Sequence, residues 1–285
     1  MAQPVTFAPV EQTLQAEDKT TRIARKNNAP VSGTSLLILL VSAVFFAAPW
    51  VAAVAFGFSR PGEGFTAAPI AETLSSSRAT EALKNTLLLT VVTTVVMLVL
   101  LVPTIIYLNV KSQRLARIAE LLSVLPLVVP AVALVNGASV FFRSFAPGAL
   151  TSLWFLVPLY VINALPLCYR ALDAGVKSLD LQTMFAASSS LGATTWQTLT
   201  TAVIPNLRVA MLSATLLCIA MTFGEFAIAS LMLQYTFPVF MVEASRTNPR
   251  GIAALSFVVM LITWALLSAI SAFSRVQSKK TRKEK

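Results

Sequence analysis

Six apolar blocks recur along the chain at residues 35–58, 85–109, 119–142, 150–170, 207–233 and 252–273, with polar stretches between them. Each is close to the roughly 20 residues that a helix needs to cross a hydrocarbon layer. The pattern therefore predicts an all-α integral membrane protein with six transmembrane helices in one domain, residues 35–273. Residues 1–34 are polar, mixed in charge and without periodicity, and are expected to be a disordered tail, while residues 274–285 form a short basic tail. Ala53-Val54-Ala55 has the look of a signal-cleavage site. The long leading segment and the span-length apolar run favour an uncleaved first helix instead. Pro126 and Pro130 in the third block predict a kinked helix, since membrane helices accept proline where neighbours satisfy the freed carbonyls.

One polar stretch has a period of its own. Between the fourth and fifth blocks, Leu181, Met184 and Phe185 recur at helical spacing behind Asp180, a residue suited to cap a helix N-terminus. Gly192 then supplies a corner tolerant of positive φ. Trp196, Leu199 and Val203 follow as a second stripe, ending near a kink expected at Pro205. This is a helical hairpin over residues 180–205, shaped to dock on something outside the bilayer.

Composition narrows the class. The chain has 285 residues, 56% hydrophobic and only 12% charged, with a mean hydropathy of +0.76, which suits a protein embedded in lipid. It contains no histidine and two cysteines, Cys168 and Cys218, each inside an apolar block, so neither a metal site nor a cofactor is expected. The absence of histidine also disfavours a membrane enzyme, and Ser188, Ser189 and Ser190 have no base to activate them. No phosphate-binding G-x-x-x-x-G-K-[ST] loop is present, so the chain is not its own ATP-driven motor.

The net charge of +10 is carried beside the spans, which points to topology and anionic lipid rather than nucleic acid. On the side shared by the two termini and the hairpin lie sixteen basic residues, six of them in the C-terminal tail; the other side holds six, Arg60, Arg78, Lys84, Arg143, Arg246 and Arg250. The imbalance places both termini and the hairpin in the cytoplasm.

Glu225 is the one acid deep within a block. A carboxylate there is costly and ordinarily faces a cavity or a partner. It reads either as a pathway group attracting a cationic solute or as a packing hydrogen bond to Asn136, Asn163 or a neighbouring subunit. Asn136 and Asn163 carry the same two readings.

Ala186-Ala187-Ser188, three residues, Gly192, nine residues, then Ala202-Val203-Ile204-Pro205 resembles the loop E-A-A-x3-G-x9-I-x-L-P. That loop belongs to the permease subunits of binding-protein-dependent ABC importers of the type I fold. Gly192, Pro205 and Ala187 match, Ile204 replaces Leu, and Ala186 stands where the family usually has Glu. The resemblance extends to Asn85-Thr86-Leu87 and covers residues 35–275. It implies an inner-membrane permease, non-catalytic itself, whose residues Leu181, Met184, Phe185, Ala186, Ala187, Ser188, Gly192, Ile204 and Pro205 couple it to a cytoplasmic ATPase dimer. A second permease subunit and an extracytoplasmic solute-binding protein would complete the assembly. Gly224-Glu225-Phe226 and the aromatic loop of Tyr235, Phe237 and Phe240 look like the polyamine, aminoethylphosphonate, thiamine and ferric-iron branch, which favours a polyamine-like or other small nitrogenous solute. The competing class is an ion-coupled secondary transporter or channel working without an ATPase.

Overall fold

The computed structural model describes residues 33–60, 62 and 64–283, so nearly all of the expected N-terminal tail lies outside the described residues. The chain divides into two units, Met1–Ala52 and Ala53–Lys285. What is described of the first is most of α1 (Gly33–Gly57), a helix apolar all round its circumference, with Leu37, Phe45 and Val51 exposed. A helix with no polar face is stable only in an apolar surrounding.

The second unit opens with a two-stranded antiparallel turn, β1 (Ser59–Arg60) and β2 (Gly64–Phe65), and a short helix, α2 (Ala68–Leu74). The long α3 (Ser77–Lys111) starts on the Ser76 side chain, which accepts from the Ala79 N–H at 3.1 Å. Then come α4 (Gln113–Val128), α5 (Ala131–Arg143), two turns of 3-10 helix, and α6 (Leu156–Lys177). The hairpin helices α7 (Leu181–Ser190) and α8 (Thr195–Thr198) lead through a π turn (Leu199–Val203) into α9 (Ile204–Phe223). The chain closes with α10 (Ala227–Leu231), α11 (Phe237–Ala244) and α12 (Pro249–Lys283).

Among the described residues, four stretches are long and apolar enough to cross a membrane as single helices: Gly33–Gly57, Ser77–Lys111, Leu153–Lys177 and Thr195–Phe223. The sixth block appears as a shorter apolar stretch, Pro249–Ala265, within α12. The third block is broken rather than kinked, with α4 and α5 meeting at 101°. Pro130 has no N–H to continue the helix, and the residue before a proline is pushed out of the α region, as Val129 shows at φ −84°, ψ 117°. The fifth helix also departs from its expected bounds, beginning in the hairpin at Thr195 and stopping at Phe223.

The core of this unit is the seam where α3, α6 and α9 pack together. Met97, Leu101 and Ile105 of α3 meet Cys168, Leu172 and Val176 of α6 and Leu207, Ala214 and Cys218 of α9. A second cluster joins Leu89 and Val135 to Tyr160 and Ile228, and a third joins Ala79 and Ala82 to Phe237, Phe240 and Ile252. Small residues set the closest approach: a methyl group at Gly175 of α6 would overlap that of Ala210 on α9. Such contacts hold helices together where lipid supplies no hydrophobic drive between them.

Candidate functional site

The hairpin is built by local caps. Asp180 Oδ1 accepts from the Thr183 N–H at 3.2 Å and Oδ2 from its hydroxyl at 2.6 Å, which starts α7. The Thr183 hydroxyl, and after it the Thr183 N–H, hold the Asp180 carboxyl below the usual carboxylate range. A depressed pKa means that the cap is fully charged above the ordinary value and is lost only as pH falls through the lowered one. At the far end Gly192 has φ +76°, Ala193 N–H donates to Ser188 O at 3.0 Å, and Gly192 N–H donates to Ser189 O at 3.0 Å. This closure needs a left-handed residue at its corner. Thr194 and Gln197 then form a reciprocal capping box that starts α8. The π turn absorbs the approach to Pro205, which has no N–H to donate.

The orientation of α7 divides its apolar stripe. Leu181 is 4% exposed and belongs to the core cluster, and Met184 and Phe185 are half-buried against it. α7 follows α6 after a three-residue turn, and in this chain alone Leu181 packs on the bundle while Met184 and Phe185 stay partly accessible. The outward face carries Ala186 and Ala187 instead. Ser188, Ser189 and Ser190 donate their hydroxyls to Met184 O, Phe185 O and Ala186 O at 2.8, 2.8 and 3.0 Å. On either side of the Gly192 corner, Leu191 and Trp196 are 87% and 71% exposed. Trp196 thus leaves the stripe that its spacing assigned it, while Val203 stays fully buried, Ile204 is half-buried and Pro205 is exposed.

Of the three pathway candidates, two meet. Asn163 Nδ2 donates to Glu225 Oε2 at 3.0 Å, and Glu225 Oε1 accepts from the Ile228 N–H at 2.9 Å. Glu225 does not sit in mid-helix as its place in an apolar block suggested. It occupies the break between α9 and α10, where capping the first turn of α10 gives its charge a partner. Asn136 lies exposed on α5. The Asn163–Glu225 bond ties α6 to the α9–α10 break, a link of about 0.6–2 kcal/mol for a polar pair between membrane helices.

One cluster escaped sequence reasoning. Asp173 is buried near the end of α6, where Oδ2 is ion-paired with Lys177 Nζ at 2.6 Å and Oδ1 accepts from Asn109 Nδ2 at 3.3 Å. Lys177 also pairs with Glu120 of α4 at 2.9 Å. The group joins α3, α4 and α6 three residues before the hairpin begins. Its signal was the i, i+4 pairing of Asp173 with Lys177, which is masked when Lys177 is counted only as a topological charge.

In comparison with known proteins, the family model for the binding-protein-dependent transport system inner membrane component matches residues 104–283. No curated protein gives a match.

Proposed function

Because the chain belongs to the binding-protein-dependent transport system inner membrane components, we propose that it couples solute passage to a separate ATPase through the α7–α8 hairpin. The chain is a multi-pass permease subunit of an ABC importer, with an all-α type I fold. Membership of this family sets aside the ion-coupled secondary transporter, and the family is a non-catalytic transport component. The reading of the hairpin rests on one observation: two large apolar side chains, Leu191 and Trp196, stand exposed on a corner locked by a left-handed glycine and a capping box. An exposed apolar pair on a rigid turn suits a cytoplasmic docking element. The exposed Ala186 supplies no carboxylate to that contact, so the docking is mainly apolar.

We place the permease in the inner membrane with the hairpin and both termini cytoplasmic, dimerised with a second permease subunit and served by an extracytoplasmic binding protein. Residues 35–273 form its transmembrane domain, and the basic tail rests on anionic lipid. The sixteen-to-six distribution of basic residues supports this orientation. The Arg78–Glu243 ion pair at 2.9 Å, between the first turn of α3 and the end of α11, keeps those two segments on one side. The test uses single cysteines in a background lacking Cys168 and Cys218. A cysteine at Ala67 should react with an impermeant thiol reagent applied to intact cells, and one at Ser190 should react only after lysis. External labelling at Ser190 would reverse the orientation.

For the solute we favour a polyamine-like or other small nitrogenous compound, because the carboxylate of Glu225 is presented by Asn163 at the edge of the seam. Glu225→Gln keeps an acceptor for the Ile228 N–H and removes the charge. Uptake of a cationic solute should fall about tenfold, the equivalent of ~1.4 kcal/mol, with the assembled complex retained. Loss of assembly in Glu225→Gln and in Asn163→Ala alike would make the pair a packing bond and remove the charge argument for a cation.

A further inference from the structure

α4 is joined to the rest of the chain by little apolar surface. Of its 16 residues only Ala116 and Ser123 are buried, and both are small. Leu115, Ile118, Leu121, Leu122 and Leu125 are exposed, so most of its apolar side chains face away from the chain's own core. Two polar ties hold it, and both end on α6. The Tyr169 hydroxyl donates to Ala116 O at 3.3 Å, and Lys177 Nζ donates to Glu120 Oε2 at 2.9 Å. At the other end α4 stops at Val128, and the Val129–Pro130 break sets it at 101° to α5. Pro130 interrupts the hydrogen-bond ladder there, so α4 can turn about the break without either helix unwinding.

Lys177 serves two acids of unequal standing. The Asp173 side chain is 6% exposed and accepts from Asn109 Nδ2 as well, whereas that of Glu120 is 44% exposed. A buried carboxylate deprived of its cation has no solvent to turn to, so Lys177 stays with Asp173. Water takes over at Glu120 with little loss, because an ion pair this open contributes little. The three-way group thus has one firm side and one that lets go. Its position matters: Lys177 is the last residue of α6, and only residues 178–180 separate it from α7. A shift of the hairpin therefore moves the ammonium group relative to Glu120, which stands on a helix that the hairpin does not continue.

We propose that the Glu120–Lys177 pair is a releasable clasp, which fastens α4 to the root of the hairpin and lets go when the hairpin is displaced, so that α4 turns about Val129–Pro130. This rests on the importer reading and extends it by naming the element that the hairpin moves. Opening uncovers Ala116 and Ser123, two small side chains, so the movement brings little apolar surface into contact with water. Asp173 keeps Lys177 and Asn109 throughout, so no buried charge is left without a partner.

The test is the accessibility of Ser123→Cys, a near-isosteric change on the buried face of α4. It uses the assembled transporter in membrane vesicles, with Cys168 and Cys218 replaced by alanine and 2-aminoethyl methanethiosulfonate as probe. ATP with vanadate, which arrests the ATPase on the permease, should speed labelling at least about fivefold, the lower end of ordinary coupling between sites. Without nucleotide, Glu120→Gln should speed it about threefold, the scale of a half-exposed ion pair, and leave the Tm of the purified transporter unchanged. Glu120→Lys, which sets like charges together, should exceed Glu120→Gln. Raising the ionic strength should speed labelling with Glu120 in place and have no effect in Glu120→Gln, a difference that packing of the side chain would not produce. Lys177 is kept in every variant, because its loss would strand Asp173 in the core. Ala116→Cys, on the same face, repeats the measurement should Ser123→Cys fail to assemble. Labelling that ignores either Glu120→Gln or vanadate overturns the proposal. Co-purification of the ATPase with the unmodified chain tests the importer reading separately, so unresponsive labelling beside a bound ATPase removes the clasp alone.

Discussion

Gly192→Val should insert into the membrane and pack its spans like the parent chain, yet lose most of its association with the ATPase. Nothing lies within 4 Å of a side-chain carbon built at Gly192, so a collision is not the cause. The cost is in the backbone: φ is +76°, and an ordinary L-residue there pays about 1–2 kcal/mol, with a β-branched one paying more. The chain can relieve this only by opening the corner, which gives up the Ala193 N–H bond to Ser188 O and swings α8 against α7. The exposed Leu191 and Trp196 on its two sides then change their relative placement. A loss of 1–2 kcal/mol corresponds to roughly 5–30-fold weaker docking. Gly192→Asn is the control, because asparagine tolerates the left-handed region and should keep association near normal. Co-purification of the ATPase with each variant is the measurement. Full recovery with Gly192→Val would mean that the corner plays no part in coupling.

The parts of this protein that could be read in its sequence are those decided by neighbours in the chain. Asp180 caps α7 and Gly192 turns with positive φ because both events depend on a few adjacent residues. Apolar run length likewise marked four of the six blocks that form span-length helices, while the third block is a bent pair and the sixth a shorter apolar stretch. Direction was not legible. The stripe of Leu181, Met184 and Phe185 fixes which face of α7 is apolar, but only the tight turn from α6 decides that this face meets the chain's own core. Pro130 marked a disturbance without giving its size, since whether a proline kinks or breaks a helix depends on what stabilises the two halves. The early end of α9 was hidden because Glu225 caps a new helix from within an apolar run.

Gly175→Leu should be the most damaging substitution in the transmembrane unit. At this residue α6 approaches α9 closely enough that even a methyl group would overlap Ala210, and Leu207 lies on the same side. A leucine must push the two helices apart along the seam that contains Cys168, Leu172, Val203 and Leu207. Overpacking ordinarily costs about 1–3 kcal/mol, and here the loss of contact is not offset, because lipid solvates the separated faces as well as they solvate each other. Thermal stability in detergent should fall, and with it the yield of assembled complex, while membrane insertion is retained. The specific cause can be isolated by a swap. Gly175→Ala should be destabilising alone and substantially rescued by Ala210→Gly, since the pair restores the original volume with the methyl moved across the seam. Strictly additive losses in the double variant would mean that the contact does not set the helix spacing. The consequence for transport follows from connectivity: one arm of the hairpin continues from α6 and the other runs into α9. A seam closed by Gly175 and Ala210 joins the two helices that flank the hairpin, so Gly175→Leu should lower uptake together with stability.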